Sequence, residues 1–173
     1  VTIAKAELWK VGQIKPGDKI HFRAMSFDEA LARELAWDAA LESLSSPALP
    51  AHKPVTLSPS ESVSACVVSS LPATPVRPSV AYRQAGDKYL LLEYGENILD
   101  LALRLRIHAL MESLKQVPIA GIAELSPGVR SLQIRYDSRI IHQRQLIETL
   151  RAREEILPAS HEITIPSRVV YLP

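Results

Sequence analysis

The sequence is poor in glycine, cysteine and aromatic residues, and each shortage excludes a kind of site. Six glycines in 173 residues leave no Gly-x-Gly-x-x-Gly run and no Walker A loop, so a phosphate-cradling loop is not expected. The one cysteine, Cys66, cannot form an internal disulfide or a cysteine-based zinc site. A catalytic thiol needs a histidine or a helix N-terminus beside it, whereas only Val, Ala and Ser flank Cys66. The composition argues against nucleotide-loop and cysteine-dependent chemistry.

An excess of one charge sign and long apolar runs are also lacking. The chain carries 20 Lys and Arg against 19 Asp and Glu, without the basic footprint of a nucleic-acid-binding surface. It has no secretory-signal pattern, and no apolar run reaches the roughly 18–20 residues that a membrane helix needs. No metal-binding motif such as His-Glu-x-x-His occurs. We therefore predict a cytoplasmic protein without nucleic acid, membrane or metal as partners, and the single cysteine agrees with an intracellular setting.

Proline and serine are abundant, and they are concentrated in one segment. Residues 45–79 hold seven of the 13 prolines and nine serines, with no glycine and no aromatic residue. Such a composition buries too little apolar surface to offset the entropy of ordering, which predicts a linker. Residues 1–44 are short for an independent core, and residues 80–173 end as an apolar stretch begins. We expect an internal slice of a larger multidomain protein, spanning the junction between two domains.

The segment before the linker predicts short elements followed by one long helix. A helical turn ended by a left-handed glycine, a Pro-Gly turn and a half-buried strand are predicted at Glu7–Gly12, Lys15–Asp18 and Ile20–Met25. Ser26 opens a capping box for a helix from Phe27 to about Leu44. Apolar residues at helical spacing predict its buried stripe: Phe27, Leu31, Leu35 and Ala39. Trp37 lies off this stripe and is expected to pack on a neighbour.

The segment after the linker alternates strands and helices. The predicted strands are Val80–Arg83, Tyr89–Tyr94, Gly121–Leu125, Ser131–Tyr136, Glu162–Ile165 and Arg168–Leu172, the first two joined by a tight Gly-Asp turn. One helix runs from Ile98 to about Leu114 with Asn97 as cap, and another from Ile140 to about Glu155 with Asp137 or Ser138 as cap. Their buried stripes are Leu99, Leu103, Ile107, Leu110 and Leu114, and Ile141, Leu146, Ile147 and Leu150. The order ββαββαβ predicts an α+β fold containing a ferredoxin-like α/β sandwich.

Few residues in this segment are candidates for chemistry. Four carboxylates lie near the first of these helices and its neighbouring strands: Glu93, Glu96, Asp100 and Glu124. Two of them form an acid–base pair if folding brings them together; otherwise they are solvated or salt-bridged side chains. His21 and His108 fall on polar faces, where a solvent-facing histidine is a simpler interpretation than a base or a metal ligand.

Two parts of the sequence resemble known carboxyltransferase domains. Ala6-Glu7-Leu8-Trp9-Lys10-Val11-Gly12-Gln13-Ile14-Lys15-Pro16-Gly17-Asp18 resembles the end of the β-rich KipA-type domains. Tyr82-Arg83-Gln84-Ala85-Gly86-Asp87-Lys88-Tyr89 through Glu93-Tyr94-Gly95 resembles the start of KipI-type domains. Residues 124–132 and 165–173 are KipI-like as well, the latter with Pro166-Ser167-Arg168-Val169-Val170. Both types on one chain, KipA-like first, are similar to the carboxyltransferase region of urea carboxylases.

The resemblance implies a domain division and a reaction. Residues 1–44 are the tail of a KipA-like domain plus a helix, 45–79 the linker, and 80–173 the N-terminal part of a KipI-like domain, before its cyclophilin-like subdomain. In the family, a biotin carboxylase domain uses ATP and bicarbonate to carboxylate biotin on a carrier domain. The carboxyltransferase region then moves the carboxyl group to urea, giving allophanate, which an allophanate hydrolase consumes. The implied parent is thus a biotin- and ATP-dependent ligase of urea degradation.

The family's pocket lies largely outside this slice, so no catalytic residue is carried over and the fragment alone is expected to be inactive. Arg130, beside Pro127-Gly128, is the one candidate for orienting a substrate or an interdomain contact, with a structural ion pair as the other interpretation. Guanidine is the alternative substrate to urea. Two other roles stay open: a KipI-like module that inhibits a histidine kinase, and a scaffold, formed by residues 80–173, on which the carrier domain docks.

Overall fold

Five strands pair into one antiparallel sheet. The strands are β1 (Val67–Leu71), β2 (Val80–Gln84), β3 (Tyr89–Tyr94), β4 (Ile122–Pro127) and β5 (Ser131–Tyr136). The structure is a computed structural model that describes residues 2–55, 66–159, 162–164, 169 and 171. Its strand order is β1-β2-β3-β5-β4, and every neighbouring pair is antiparallel. Because successive side chains in a strand point to opposite faces, the sheet has one buried and one more open face.

The described residues also form four α-helices. They are α1 (Leu8–Val11), α2 (Phe27–Ser43), α3 (Leu101–Gln116) and α4 (Gln143–Ile156). The Ser26 side chain caps α2 by accepting a hydrogen bond from the Glu29 amide at 3.1 Å, as the capping box predicts. None of the helices that the structure describes has the length and apolar character needed to span a membrane.

Helices α3 and α4 cover the buried face of the sheet and form one core with it. The strands contribute Leu71, Val80, Tyr82, Leu90, Leu92, Tyr94, Leu132, Ile134 and Tyr136. The helical side contributes Leu103, Ile107, Leu110, Leu114, Ile141, Leu146, Ile147 and Leu150. The predicted stripes of both helices are therefore confirmed, apart from Leu99, which is exposed. The mixed helix-and-sheet class predicted from the sequence is confirmed as well.

Part of the predicted linker belongs to the sheet, because strand β1 lies within residues 45–79. Strand β1 pairs along β2, and its last residue, Leu71, enters the core. An edge strand needs only every second side chain to be apolar, so the segment's average composition concealed it. Earlier in the same segment, the Pro50 carbonyl accepts a hydrogen bond from Arg33 at 3.2 Å. The linker is thus anchored at both of its described ends.

The buried face of α2 differs from the predicted stripe. Its buried residues are Glu29, Ala30, Glu34 and Ala40, whereas Leu35 and Ala39 are exposed and Leu31 is half-buried. The prediction was wrong because the surface that α2 meets is charged, so carboxylates rather than leucines face inward. Phe27 does pack against the core. The expected contact of Trp37 is found with Trp9, at 5.7 Å between ring centroids in an edge-to-face arrangement.

Several predicted boundaries are also corrected. Ile20–Met25 forms no strand, because no other described segment pairs with it. Gly12 has right-handed dihedral angles, whereas Gly17 has the positive φ expected for its turn. The cap of α3 is Asp100 rather than Asn97, and the cap of α4 is His142, with its side chain accepting a hydrogen bond from the Arg144 amide. The last predicted strand pair, Glu162–Ile165 and Arg168–Leu172, lies largely outside the described residues.

Three buried tyrosines predict a loss of stability at alkaline pH. Burial raises the pKa of Tyr82, Tyr94 and Tyr136 above the usual value, because the apolar core disfavours a phenolate. Above a pH of about 10 an unfolded chain releases these protons while the folded chain keeps them. The free energy of unfolding is therefore maintained below that pH and should fall above it, by about 1.4 kcal/mol per pH unit for each tyrosine.

Urea unfolding across this pH range checks the prediction. In Tyr136→Phe the free energy of unfolding should fall less steeply with pH, by about 1.4 kcal/mol per pH unit, which is the contribution of one tyrosine. Tyr89→Phe is the matched control, because it removes a hydroxyl group from an exposed side chain rather than from the core. Equal slopes in the wild type and in Tyr136→Phe would contradict the prediction.

Candidate functional site

Arg130 lies in the turn between β4 and β5, directly before β5, where all three of its side-chain nitrogen atoms bind protein groups. Its Nε donates to Asn97 Oδ1 and its Nη1 to the carbonyl oxygens of Tyr94 and Gly95, each at 3.3 Å. Its Nη2 donates to Glu93 Oε1 at 2.9 Å. Arg130 therefore fastens the chain that leaves β3 to the turn before β5. This geometry places the predicted candidate in a structural role.

Glu93 holds a second guanidinium group. Its other carboxylate oxygen accepts a hydrogen bond from Arg83 Nε, so one carboxylate joins two arginines that come from β2 and from the turn before β5. The three side chains lie on the more open face of the sheet, beside a groove of about 430 Å³. Ser70, Ser79 and Asn97 also line this groove. The groove therefore brings two of the predicted candidates, Glu93 and Arg130, together.

Three of the four carboxylates considered as an acid–base pair have other partners in the fold. Glu93 lies between Arg83 and Arg130. Asp100 caps α3, and Glu124 forms an exposed ion pair with Arg135 at 3.1 Å. Among the described residues no group of three or more His, Cys, Asp and Glu side chains is placed to hold a metal ion. The described side chains thus present charge pairs rather than an acid–base catalytic pair.

A buried ion pair between α3 and α4 was not predicted from the sequence. Arg106 Nη2 donates to Glu154 Oε2 at 2.9 Å, with side-chain exposures of 1% and 0%. Arg106 also donates to the carbonyl oxygens of Glu154 and Pro158, at 3.2 and 2.5 Å, so it satisfies the C-terminal end of α4. The Tyr94 hydroxyl donates to the second Glu154 oxygen. The pair joins both helices to β3.

Five charged residues join the segment before the linker to the sheet, and we call them the junction cluster: Glu34, Asp38, Lys88, Asp137 and Arg139. Lys88 Nζ, in the β2–β3 turn, lies 2.5 Å from Glu34 Oε2 on α2 and 3.4 Å from Asp137 Oδ1. Arg139 pairs with Asp38 at 2.9 Å and with Asp137 at 2.7 Å. The hydrogen bonds from Arg139 lower the pKa of Asp137 below its usual range. The acidic face of α2 thus meets a basic surface.

Other contacts extend the junction beyond these charges. The Lys5 amide donates to Asp87 at 2.9 Å. At the other end, the His142 ring lies edge-on to Phe27 at 5.0 Å and within 3.0 Å of Asp28. Gly86, with φ of +87°, allows the chain before α1 to lie against the β2–β3 turn, because a Cβ there would approach Thr2 Cγ2 to 2.4 Å. The segment before the linker and the sheet therefore share one continuous contact.

Comparisons with known proteins give a consistent result. The profile of the family described as "Carboxyltransferase domain, subdomain C and D" matches residues 80–173. The chain is 40% identical over 172 residues to a urea amidolyase of Lachancea kluyveri, covering 99% of this chain and 9% of that protein. It is 34% identical over 194 residues to a putative urea carboxylase of Emericella nidulans, covering 99% of this chain and 15% of that protein.

Solved structures agree with this similarity. The crystal structure of the K. lactis urea amidolyase superposes with a TM-score of 0.76 at 34% identity, covering 95% of this chain and 10% of that one. The crystal structure of the Kluyveromyces lactis urea carboxylase gives a TM-score of 0.74 at 34% identity, covering 95% of this chain and 14% of that one. The chain therefore spans about a tenth of the length of these proteins.

Proposed function

Because the chain belongs to the family of carboxyltransferase domains, subdomain C and D, we propose that it is part of the carboxyltransferase region of a urea carboxylase. The observation that carries the proposal is the extent of the similarity. The alignment to urea amidolyases covers 99% of the chain, so it includes the segment before the linker, the linker and the sheet. A separate KipI-like kinase inhibitor would not account for the first two.

In the proposed parent, a carboxyl group carried by biotin is moved to urea, giving allophanate. The biotin, its carrier and the ATP- and bicarbonate-using carboxylase are proposed to lie in other domains, and an allophanate hydrolase to act downstream. Of the side chains that were considered for catalysis, Glu93 and Glu124 are held in ion pairs and Asp100 in a helix cap. We assign none of them to biotin and derive no step through it. The proposed location is the cytoplasm.

The task proposed for this chain is to hold two parts of the transfer region in a fixed relation. Residues 1–44 would end the KipA-like part, 45–79 would connect it, and 80–173 would begin the KipI-like part with its ferredoxin-like sandwich. The order β3-β5-β4, with α3 and α4 on one face, supports that sandwich. Transfer between two bound groups depends on positioning them closely. The junction cluster supplies the rigid connection that such positioning needs.

Assays of the full-length parent test the proposed function. ATP hydrolysis that depends on bicarbonate and is stimulated by urea is expected, together with formation of allophanate. Guanidine, which is the alternative substrate, and 5-oxoproline are the comparison substrates. Turnover with guanidine and none with urea would show that guanidine, rather than urea, is the substrate. The absence of turnover with all three would overturn the proposal.

A further inference from the structure

The two arginines beside Glu93 differ in how many of their donors are used. Arg130 directs Nε, Nη1 and Nη2 at protein oxygens, and its side chain is 19% exposed. Arg83 uses only Nε, in its bond to Glu93, and is 36% exposed. Among the residues that the structure describes, neither Nη atom of Arg83 has a hydrogen-bond partner. Arg83 is therefore the arginine with donors left for a ligand.

The charge of the cluster specifies the sign and size of the charge that such a ligand carries. Two guanidinium groups share one carboxylate, so the cluster keeps an excess of one positive charge. A monovalent anion neutralises this excess, whereas a dianion would leave negative charge beside Glu93. A guanidinium edge matches the two oxygens of a planar carboxylate, with which it forms paired hydrogen bonds.

The groove beside these side chains has the shape and lining of a binding site. Its volume of about 430 Å³ lies within the range of roughly 300–1,000 Å³ found for small-molecule pockets. Arg83 and Glu93 line it together with the hydroxyl-bearing Ser70 and Ser79. The ion pair with Glu93 holds the Arg83 guanidinium in place before a ligand arrives, which reduces the entropy lost on binding.

We propose that this groove is a binding site for a small monovalent carboxylate, with Arg83 as the residue that binds it. This inference does not depend on the proposed function. Arg130 is a positioning residue of this site: it binds the Glu93 carboxylate, which in turn orients Arg83. The site lies on the open face of the sheet, on the side away from α3 and α4.

An NMR titration of the chain tests the proposal. Sodium acetate is the probe, added at constant ionic strength, with sodium chloride and sodium phosphate as comparison salts. We expect saturable shifts at the amides of Ser70 and Ala81 and at Arg83 Nε, with a dissociation constant on the order of 1 mM. Chloride and phosphate should give no saturable shift at these groups. Shifts that do not saturate, or that chloride reproduces, would mean that there is no such site.

Two substitutions and a matched control make the test specific. Arg83→Gln should weaken acetate binding by at least about tenfold, because it removes the charge and the paired donors. Arg83→Lys keeps the charge and should lie between this variant and the wild type. Arg135→Gln is the control: Arg135 lies on the same face but pairs with Glu124 outside the groove. Acetate binding that survives in Arg83→Gln, or that is lost equally in Arg135→Gln, would overturn the proposal.

Discussion

Replacing Arg106 with methionine is expected to lower the free energy of unfolding by about 3–5 kcal/mol. The substitution leaves Glu154, which is fully buried, without its counter-charge. It also removes the donors to the carbonyl groups of Glu154 and Pro158, and the buried Glu154 carbonyl then loses a hydrogen-bond partner. Urea unfolding, followed by circular dichroism, measures the change.

Two further variants distinguish the effect of losing the ion pair from the general effect of a substitution in α3. Arg104→Met is the matched control, because Arg104 lies two residues away on the same helix and forms no ion pair with any residue that the structure describes; the cost of this substitution should stay below about 1 kcal/mol. The double variant Arg106→Met with Glu154→Leu should regain part of the loss, since an apolar pair avoids the cost of burying charge, while the Glu154 carbonyl and the Tyr94 hydroxyl stay without these partners. A loss in Arg106→Met no larger than in Arg104→Met would contradict this account of the core.

Lys88→Met is expected to weaken the contact between α2 and the sheet by about 2–3 kcal/mol. Lys88 and Glu34 have side-chain exposures of 15% and 8%, so removing the ammonium leaves a poorly solvated carboxylate facing the β2–β3 turn. The two tryptophans of the chain, Trp9 and Trp37, both lie before the linker and contact each other. Tryptophan fluorescence therefore reports on this part of the chain, whereas circular dichroism reports on all helices and strands.

In the wild type the two signals should change together on unfolding, as expected for one cooperative unit. In Lys88→Met, the fluorescence change should occur at a lower urea concentration than the change in circular dichroism. Lys115→Met is the control, because Lys115 forms an exposed pair with Glu112 that contributes little to stability. Signals that remain superimposed in Lys88→Met, at the wild-type midpoint, would show that the junction cluster does not hold α2.

Sequence patterns predicted the parts of the fold in which one face alone is apolar. β2, β3 and β5 were found at or within one residue of the predicted ends, because alternation sets both their period and their register. β1 was missed because its apolar residues lie in a proline- and serine-rich segment. The predicted buried face of α2 was wrong because the periodicity of apolar residues assigns leucines to the buried face. The surface that α2 meets is charged, and glutamates face it instead. Such a surface is assembled from distant residues and leaves no local pattern.

The same limit applies to the candidate sites. Arg130 was identified as a candidate, and the groove lies beside it, but Arg83 was quoted only as part of a motif. Arg106 and Glu154 did leave a signal: each falls among the buried positions of its helix, three residues after Leu103 and four after Leu150. A charged residue at a position that helical spacing places in the core predicts a buried partner. Opposite charges at such positions on two neighbouring helices would have predicted this pair.

The most direct test of the central claim is a comparison of two activities in the full-length parent carrying Lys88→Met. The claim is that this chain holds the transfer region in its working geometry. Urea-dependent turnover should therefore fall by at least about tenfold, while bicarbonate-dependent ATP hydrolysis without urea should stay within about twofold of the wild type. Lys115→Met should change neither activity. Wild-type urea turnover in Lys88→Met, or an equal fall in both activities, would contradict the account.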